Sequence, residues 1–273
     1  MTRRELLSAF AGGILAPSLV AAQSDEPQYA GLDRVEFYVS NVEKSRDFFV
    51  RVFGNTLKKR NEKRYVKLGS AYMAFEPPRG NAPQIRVDHY SVSIKGLEMP
   101  KLHAFLDRRG VAYQDYPSGR DTAVVDPEGI RTQLSPENGW SFLNTPNFPA
   151  EDVGIQDAPI FQPAGLDHVL LNVAAPEKSV DFYSRFLGLP VERRDNRIWF
   201  QAGSARVGLL QTPQGQRPGV NHFCVSAAPF QIESAAKALE RIGATAVQPS
   251  SEAPGAITFQ DPDGFRIQVL SRT

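Results

Sequence analysis

Apolar and polar positions along this chain change period at regular places. Leu32–Ser40 reads as a strand, with Leu32, Val35, Phe37 and Val39 supplying its apolar character. In Val42–Phe53 the spacing becomes helical: Val42, Phe48, Phe49, Val52 and Phe53 gather on one side, and Gly54 is a stop. Short strands follow at Arg64–Leu68 and Ala71–Phe75. A second unit starts with strand Arg86–Ile94 and a helix near Pro100–Arg109, ended by Gly110. It closes with strands near Thr122–Val125 and Ile130–Leu134 around the turn Asp126–Gly129. The order then returns. Strand Asp167–Val173 leads to a helix opened by Pro176, which suits a first helical position. Strand Val220–Ser226, helix Phe230–Ile242 and strands near Ala256–Phe259 and Phe265–Leu270 complete it. The pattern predicts an α+β protein of four β-α-β-β-β units in two pairs.

The residues themselves repeat as well. Gly31–Gly54 and Gly165–Gly188 align without a gap at an offset of 134 (165 − 31), with 12 identities in 24 positions. Gly69-Ser70-Ala71 returns as Gly203-Ser204-Ala205, and Asp126-Pro127-Glu128-Gly129 as Asp261-Pro262-Asp263-Gly264. A period this long means two copies of a domain rather than a solenoid. The expected layout is an N-terminal domain over 31–135, a connecting segment over 136–164 and a C-terminal domain over 165–273. The connecting segment holds five prolines and is expected to be ordered, packing through Trp140, Phe142 or Phe148, with pure linker as the competing view.

Composition narrows the classes. The chain has 31 basic and 30 acidic residues and no long basic run, which argues against general nucleic-acid binding. A single cysteine, Cys224, cannot form an internal disulfide. At the N-terminus, Arg3-Arg4 precedes an apolar stretch to Val20, and Val20-Ala21-Ala22 offers a cleavage point. This is the layout of a bacterial export signal over 1–22, similar to the twin-arginine type, followed by a short linker over 23–30. It implies a periplasmic or extracellular protein. The apolar part is short and interrupted by Gly12, Gly13, Pro17 and Ser18, which disfavours a permanent membrane anchor. Self-association is left open.

The segments LDHVLLNV, PEKSVDFYSRFLG, DPEGIRTQLS and DPDGFRIQVLS resemble the vicinal oxygen chelate superfamily, which includes glyoxalase I, bleomycin-resistance proteins and type I extradiol dioxygenases. The resemblance covers about Gly31–Ser135 and Gly165–Ser271. It implies that paired units curl their sheets into two open cups, with helices outside, and that a divalent metal often sits inside. Ligands in the family come from the first strand of each unit and from the last strand. Fold alone does not give function, since isomerases, dioxygenases, lyases and metal-free binding proteins share it.

Carried over to the C-terminal half, the ligand positions are His168, His222 and Gln268. Two imidazoles and an amide oxygen suit Fe²⁺, Mn²⁺, Zn²⁺ or Ni²⁺, although a carboxylate would hold the ion better. The competing reading is two core histidines satisfied by hydrogen bonds. Period-two alternation adds Asn172, Cys224 and Arg266 to the same face as candidate substrate contacts. In the N-terminal half the matching positions are Arg34, His89 and Gln133. A guanidinium has no acceptor for a metal, so no metal is expected there. That cup also carries Glu36 and Arg131. An Arg34–Glu36 pair is the structural reading and a small anionic or polar ligand the functional one.

The chain departs from extradiol dioxygenases, whose signature has a histidine and a tyrosine before the final turn and a glutamate after it. Here Thr258 stands for the tyrosine, Gln268 for the glutamate, and Pro249-Ser250-Ser251 spans the histidine's place. Ring cleavage is therefore not the expected reaction. The expectation is a metal-dependent lyase, isomerase or oxygenase acting on a small oxygenated molecule in the C-terminal cup, with a non-catalytic small-molecule binding protein as the alternative.

Overall fold

A computed structural model describes residues 26–54, 58–80, 84–139, 143, 150–194 and 196–272. The export segment, Trp140, Phe142 and Phe148 lie outside these residues. The first unit is β1 (Tyr29–Tyr38), α1 (Val42–Phe53), β2 (Lys58–Arg60), β3 (Lys63–Leu68) and β4 (Ala71–Glu76). The second is β5 (Arg86–Ile94), α2 (Met99–Arg108), β6 (Tyr113–Asp115), β7 (Thr122–Val125) and β8 (Arg131–Pro136). The third is β9 (Pro163–Val173), α3 (Pro176–Leu187), β10 (Glu192–Arg194), β11 (Arg197–Ala202) and β12 (Ala205–Gln211). The fourth is β13 (Gly219–Ala227), α4 (Ile232–Arg241), β14 (Thr245–Pro249), β15 (Ala256–Gln260) and β16 (Arg266–Ser271). Each pair of units forms one eight-stranded sheet. The orders are β2-β3-β4-β1-β5-β8-β7-β6 and β10-β11-β12-β9-β13-β16-β15-β14.

The expected α+β architecture is thus the one observed. Periodicity misses β2, β6, β10 and β14, each only three to five residues long. Such segments are too short to display an alternation, and hydrogen bonding to the neighbouring strand defines them instead.

Local chemistry explains the helix starts. Asn41 caps α1 by accepting from the Lys44 N–H at 2.8 Å, and Pro176 opens α3. The convex faces of the sheets meet through aromatic rings. Phe37 of β1 packs on Phe49 of α1, and also on Phe223 and Phe265 of the other half, at 5.1–6.5 Å between centroids.

The repeated motifs are the seams between the halves. Asp126 and Asp261 each shape their turn by accepting two backbone N–H groups on Oδ1. The acid two residues later then crosses over. Glu128 accepts from Ala174 and Ala175 at the head of α3, while Asp263 accepts from Ser40 ahead of α1. Likewise the Ser70 N–H bonds the Ala164 carbonyl and the Ser204 N–H bonds that of Ala30. Gly69 and Gly203 sit at φ 62° and 64°, and a Cβ on either would lie 2.2 Å from the opposing backbone. Only glycine fits there.

Within the connecting segment, Phe161 packs against Phe53 and Phe230. Leu143 is fully buried with Tyr65, Tyr72 and Ala74.

Candidate functional site

The concave face of the second sheet brings His168 and His222 together. Strand β9 pairs antiparallel with β13, setting Leu170 opposite His222 and His168 opposite Cys224, and β13 pairs with β16 so that Cys224 lies beside Gln268. The two histidine Nε2 atoms face each other at 3.3 Å. Their other nitrogens are committed: His168 Nδ1 bonds Asp167 Oδ1 and His222 Nδ1 bonds Asn221 Oδ1, both at 2.8 Å. Burial works against ionisation of Asp167, but the hydrogen bond from His168 together with the charges of His168, Arg206 and Arg272 outweighs it and holds the carboxyl below its usual range. Asp167 is then acceptor-only and fixes the proton on His168 Nδ1.

Asn221 has its amide orientation set from outside. Its Oδ1 accepts from Arg266 at 3.2 Å while its Nδ2 donates to Asn172 at 3.1 Å. It therefore presents oxygen to His222 and fixes that proton on Nδ1 as well. Burial first, then the neighbouring His168, Arg266 and Arg197 charges, push His222 well below the ordinary imidazole range, so it is neutral at pH 7. The Nε2 atoms of both rings then converge on one place, an arrangement that suits a cation between them.

The remaining predicted residues fall around this pair. Gln268 lines the same cleft of about 270 Å³, but its amide nitrogen donates to Ser250 Oγ at 2.8 Å. Asn172 and Arg266 orient Asn221 through the bonds above, so their structural work is to hold the histidine in place. Cys224 corrects the expectation of a substrate contact. It is fully buried, and burial pushes its thiol well above the usual range. Asp167, His168 and Cys224 bring ligand-type atoms within 4.8 Å of one another, yet a protonated thiol and a carboxylate already bound to Nδ1 make this a support for the histidine. Trp199 packs edge-on against His168 at 5.1 Å and lies over Gly208, where a Cβ would meet its ring at 2.5 Å.

Sequence reasoning misses Asp167, Asn221, Trp199 and Arg197 around the pair, and also Glu252, in the loop between β14 and β15. Its Oε1 accepts from Arg197 and Arg266, both at 3.0 Å, and its Oε2 lies 3.8 Å from His222 Nε2. A loop position follows no strand period, and only its place right after Pro249-Ser250-Ser251 could have drawn notice.

In the N-terminal cup, Arg34 stands where His168 stands in the other half. Its guanidinium bonds His89 Nε2 at 2.5 Å, Gln133 Oε1, and Glu36 at 3.2 Å. It thereby binds side chains at both other family ligand positions. Burial opposes ionisation of Glu36, but Arg34, His89 and Lys63 outweigh it and hold the group well below its usual range. Burial and the Arg34 charge push His89 down. Arg131 reaches Asp88 at 3.2 Å. Glu36, Asp88 and His89 also gather within 4.8 Å, but Arg34 and Lys63 on Glu36 and Arg86 and Arg131 on Asp88 already supply the cations that neutralise these carboxylates. The cup is large, about 810 Å³, and polar.

Two tandem cups, one with a histidine pair on its first strands, give the chain a vicinal-oxygen-chelate-like architecture. Residues 165–269 match the model of the Glyoxalase/Bleomycin resistance protein/Dioxygenase superfamily. Solved structures share the fold across both halves. Homoprotocatechuate 2,3-dioxygenase from Brevibacterium fuscum is 15% identical, with a TM-score of 0.66 over 90% of this chain and 82% of that one. A Mn(II)-bound glyoxalase from Novosphingobium aromaticivorans is 16% identical, with a TM-score of 0.64 over 90% and 83%. The 2,3-dioxygenase LapB from Pseudomonas sp. KL28 is 16% identical, with a TM-score of 0.62 over 91% and 94%. No curated protein matches the chain.

Proposed function

We propose that this protein is an exported, divalent-metal-dependent enzyme of lyase, isomerase or oxygenase type, acting on a small oxygenated molecule in its C-terminal cup. One observation carries the reading: the Nε2 atoms of His168 and His222 converge at 3.3 Å, with both Nδ1 atoms engaged by side-chain oxygens. Imidazoles so presented suit Fe²⁺, Mn²⁺, Zn²⁺ or Ni²⁺. A bound ion would supply Lewis-acid polarisation of adjacent substrate oxygens.

The chain's own residues do the rest. Asp167 and Asn221 hold the imidazole rings in orientation. Arg194, Arg197 and Arg206 surround the cleft and favour a substrate rich in anionic or carbonyl oxygens. Trp199 walls the His168 side. Ring cleavage of the extradiol kind is not part of this proposal. Thr258 is buried and donates to the Gln248 carbonyl, and the chain's other two histidines, His89 and His103, lie in the first half.

A non-catalytic binding protein is the second reading. It draws on the engagement of the cleft carboxylates by arginines, Glu252 with Arg197 and Arg266 and Glu192 with Arg206, which leaves neither as an uncommitted base. Protein purified without chelator or histidine tag should carry one metal per chain, and His168→Ala should strip it. Metal that survives His168→Ala would sink the site, and a folded, metal-free protein that takes up no metal on titration would favour the second reading. Export is tested by Arg3→Lys with Arg4→Lys, which should retain the precursor inside the cell.

A further inference from the structure

We infer that Glu252, rather than Gln268, supplies the oxygen ligand beside His168 and His222. This rests on the metal-site reading above and deepens it. The family positions put the third ligand on the last strand. In this chain that position carries an uncharged amide, whose nitrogen donates to Ser250 and whose oxygen is a weaker donor to a divalent ion than a carboxylate's.

The carboxylate comes instead from the β14–β15 loop, and its two oxygens have different surroundings. Arg197 and Arg266 both bond Oε1, each at 3.0 Å. A carboxylate placed only to pair two guanidiniums would share them between both oxygens. Here Oε2 lies 3.8 Å from His222 Nε2. That separation is too long for a hydrogen bond. It is close to what neighbouring ligands of one ion require: atoms about 2.1 Å from a common ion stand about 3.0–3.5 Å apart at octahedral and tetrahedral angles. The His168–His222 spacing of 3.3 Å falls inside that range. The Glu252 spacing to His222 exceeds that range by a few tenths of an ångström, and closing on His168 as well takes a larger rotation of this loop side chain, because the three donor atoms do not all lie within 4.8 Å of one another.

The result is a set of two imidazoles and one carboxylate, the donor chemistry typical of non-haem iron and manganese sites. The carboxylate also removes one unit of the charge that Gln268 leaves unbalanced. Arg266 gains a double role. One guanidinium nitrogen fixes Asn221, and through it His222, while another fixes Glu252. Arg266 is therefore a positioning residue for two of the three donors.

The test is a titration of chelator-treated protein with Co²⁺ alone, read by calorimetry and by the coordination-sensitive visible bands of the bound ion. Wild type, Glu252→Gln, Glu252→Asp, Gln268→Leu and the double variant Glu252→Gln/Gln268→Glu are compared, after thermal melts of the metal-free proteins establish that each is folded. Loss of an outer partner of a ligand costs about 10–100-fold in affinity. Loss of a ligand should therefore cost at least about 100-fold, and Glu252→Gln is expected to do so with altered visible bands. Gln268→Leu should cost at least tenfold less than Glu252→Gln, roughly the gap between a ligand and its outer support. The double variant should recover much of the affinity, because it returns a carboxylate from the last strand. Unchanged affinity and bands in Glu252→Gln, with loss in Gln268→Leu, would overturn the assignment while leaving the metal reading intact. A wild type that takes up no Co²⁺ would instead remove the metal reading itself. If Glu252→Gln does not fold, Glu252→Asp, which withdraws the oxygens by one methylene, carries the comparison.

Discussion

Replacing Arg34 by Met tests whether the N-terminal cup is held by a cation in the place of a metal. Arg34 is 4% exposed and its main partner Glu36 is 2% exposed, so the pair is out of water. Removing one member of a buried pair costs about 3–5 kcal/mol, chiefly because the surviving charge stays buried. Glu36 keeps Lys63 at 2.5 Å, which offsets part of the loss and points to the lower end, about 3 kcal/mol. For a chain of this size about 2–4 °C accompanies each kcal/mol, so the midpoint should fall by about 6–12 °C. The assay is thermal unfolding at a fixed scan rate in the presence of chelator, so that metal linkage does not contribute. The double variant Arg34→Met/Glu36→Leu removes both charges and should return to within about 1 kcal/mol of wild type. Metal content should be the same in all three proteins. A midpoint within 2 °C of wild type for Arg34→Met, or a double variant less stable than the single one, would refute the reasoning.

Two further expectations concern the seams between the halves. Burial raises Asp261 to about 7, and its Oδ2 has no partner, whereas the matching oxygen of Asp126 accepts from Tyr183 at 3.0 Å. The unfolded side chain ionises near pH 4, so between about pH 4 and 7 the folded state retains a proton that the unfolded state has lost. This group's contribution to stability should therefore fall as pH rises through that window, and Asp261→Asn should flatten the midpoint-versus-pH curve relative to wild type; parallel curves would count against it. Gly203→Ala would place a Cβ 2.2 Å from the Ala30 carbonyl carbon at φ 64°, and should cost more than about 3 kcal/mol. Gly215→Ala, at φ 82° with nothing within 4 Å, should cost only about 1–2 kcal/mol. Equal melting midpoints for the two would remove the steric argument.

The sequence made the fold legible because its signals were long and doubled. Twelve-residue amphipathic helices and strands with a clear inner face recur at one offset, and each copy supports the reading of the other. The short strands escaped because three to five residues are too few to display a period. At the site, His168, His222, Arg34 and His89 were legible because they sit on long central strands, where alternation assigns a face. Cys224 shows the limit of that reasoning: it has the right face, but the packed floor closes over it. Glu252 shows another limit, since a loop residue reaches the site through tertiary contacts with Arg197 and Arg266 that no spacing encodes. The motifs Gly-Ser-Ala and Asp-Pro-acid-Gly read as signatures of the repeat, and the structure gives their physical reason. They join one half to the other through glycine-permitted backbone contacts and carboxylate-to-N–H bonds.

The central claim is that one cup holds a divalent ion and the other holds a guanidinium in its place. Anomalous diffraction from crystals grown with Mn²⁺ tests it most directly. The account predicts one strong anomalous peak per chain, bonded to Nε2 of both His168 and His222, and no peak beside His89 and Gln133. Histidines bonded to each other with no peak between them, or a peak in the N-terminal cup with Arg34 displaced, would contradict it.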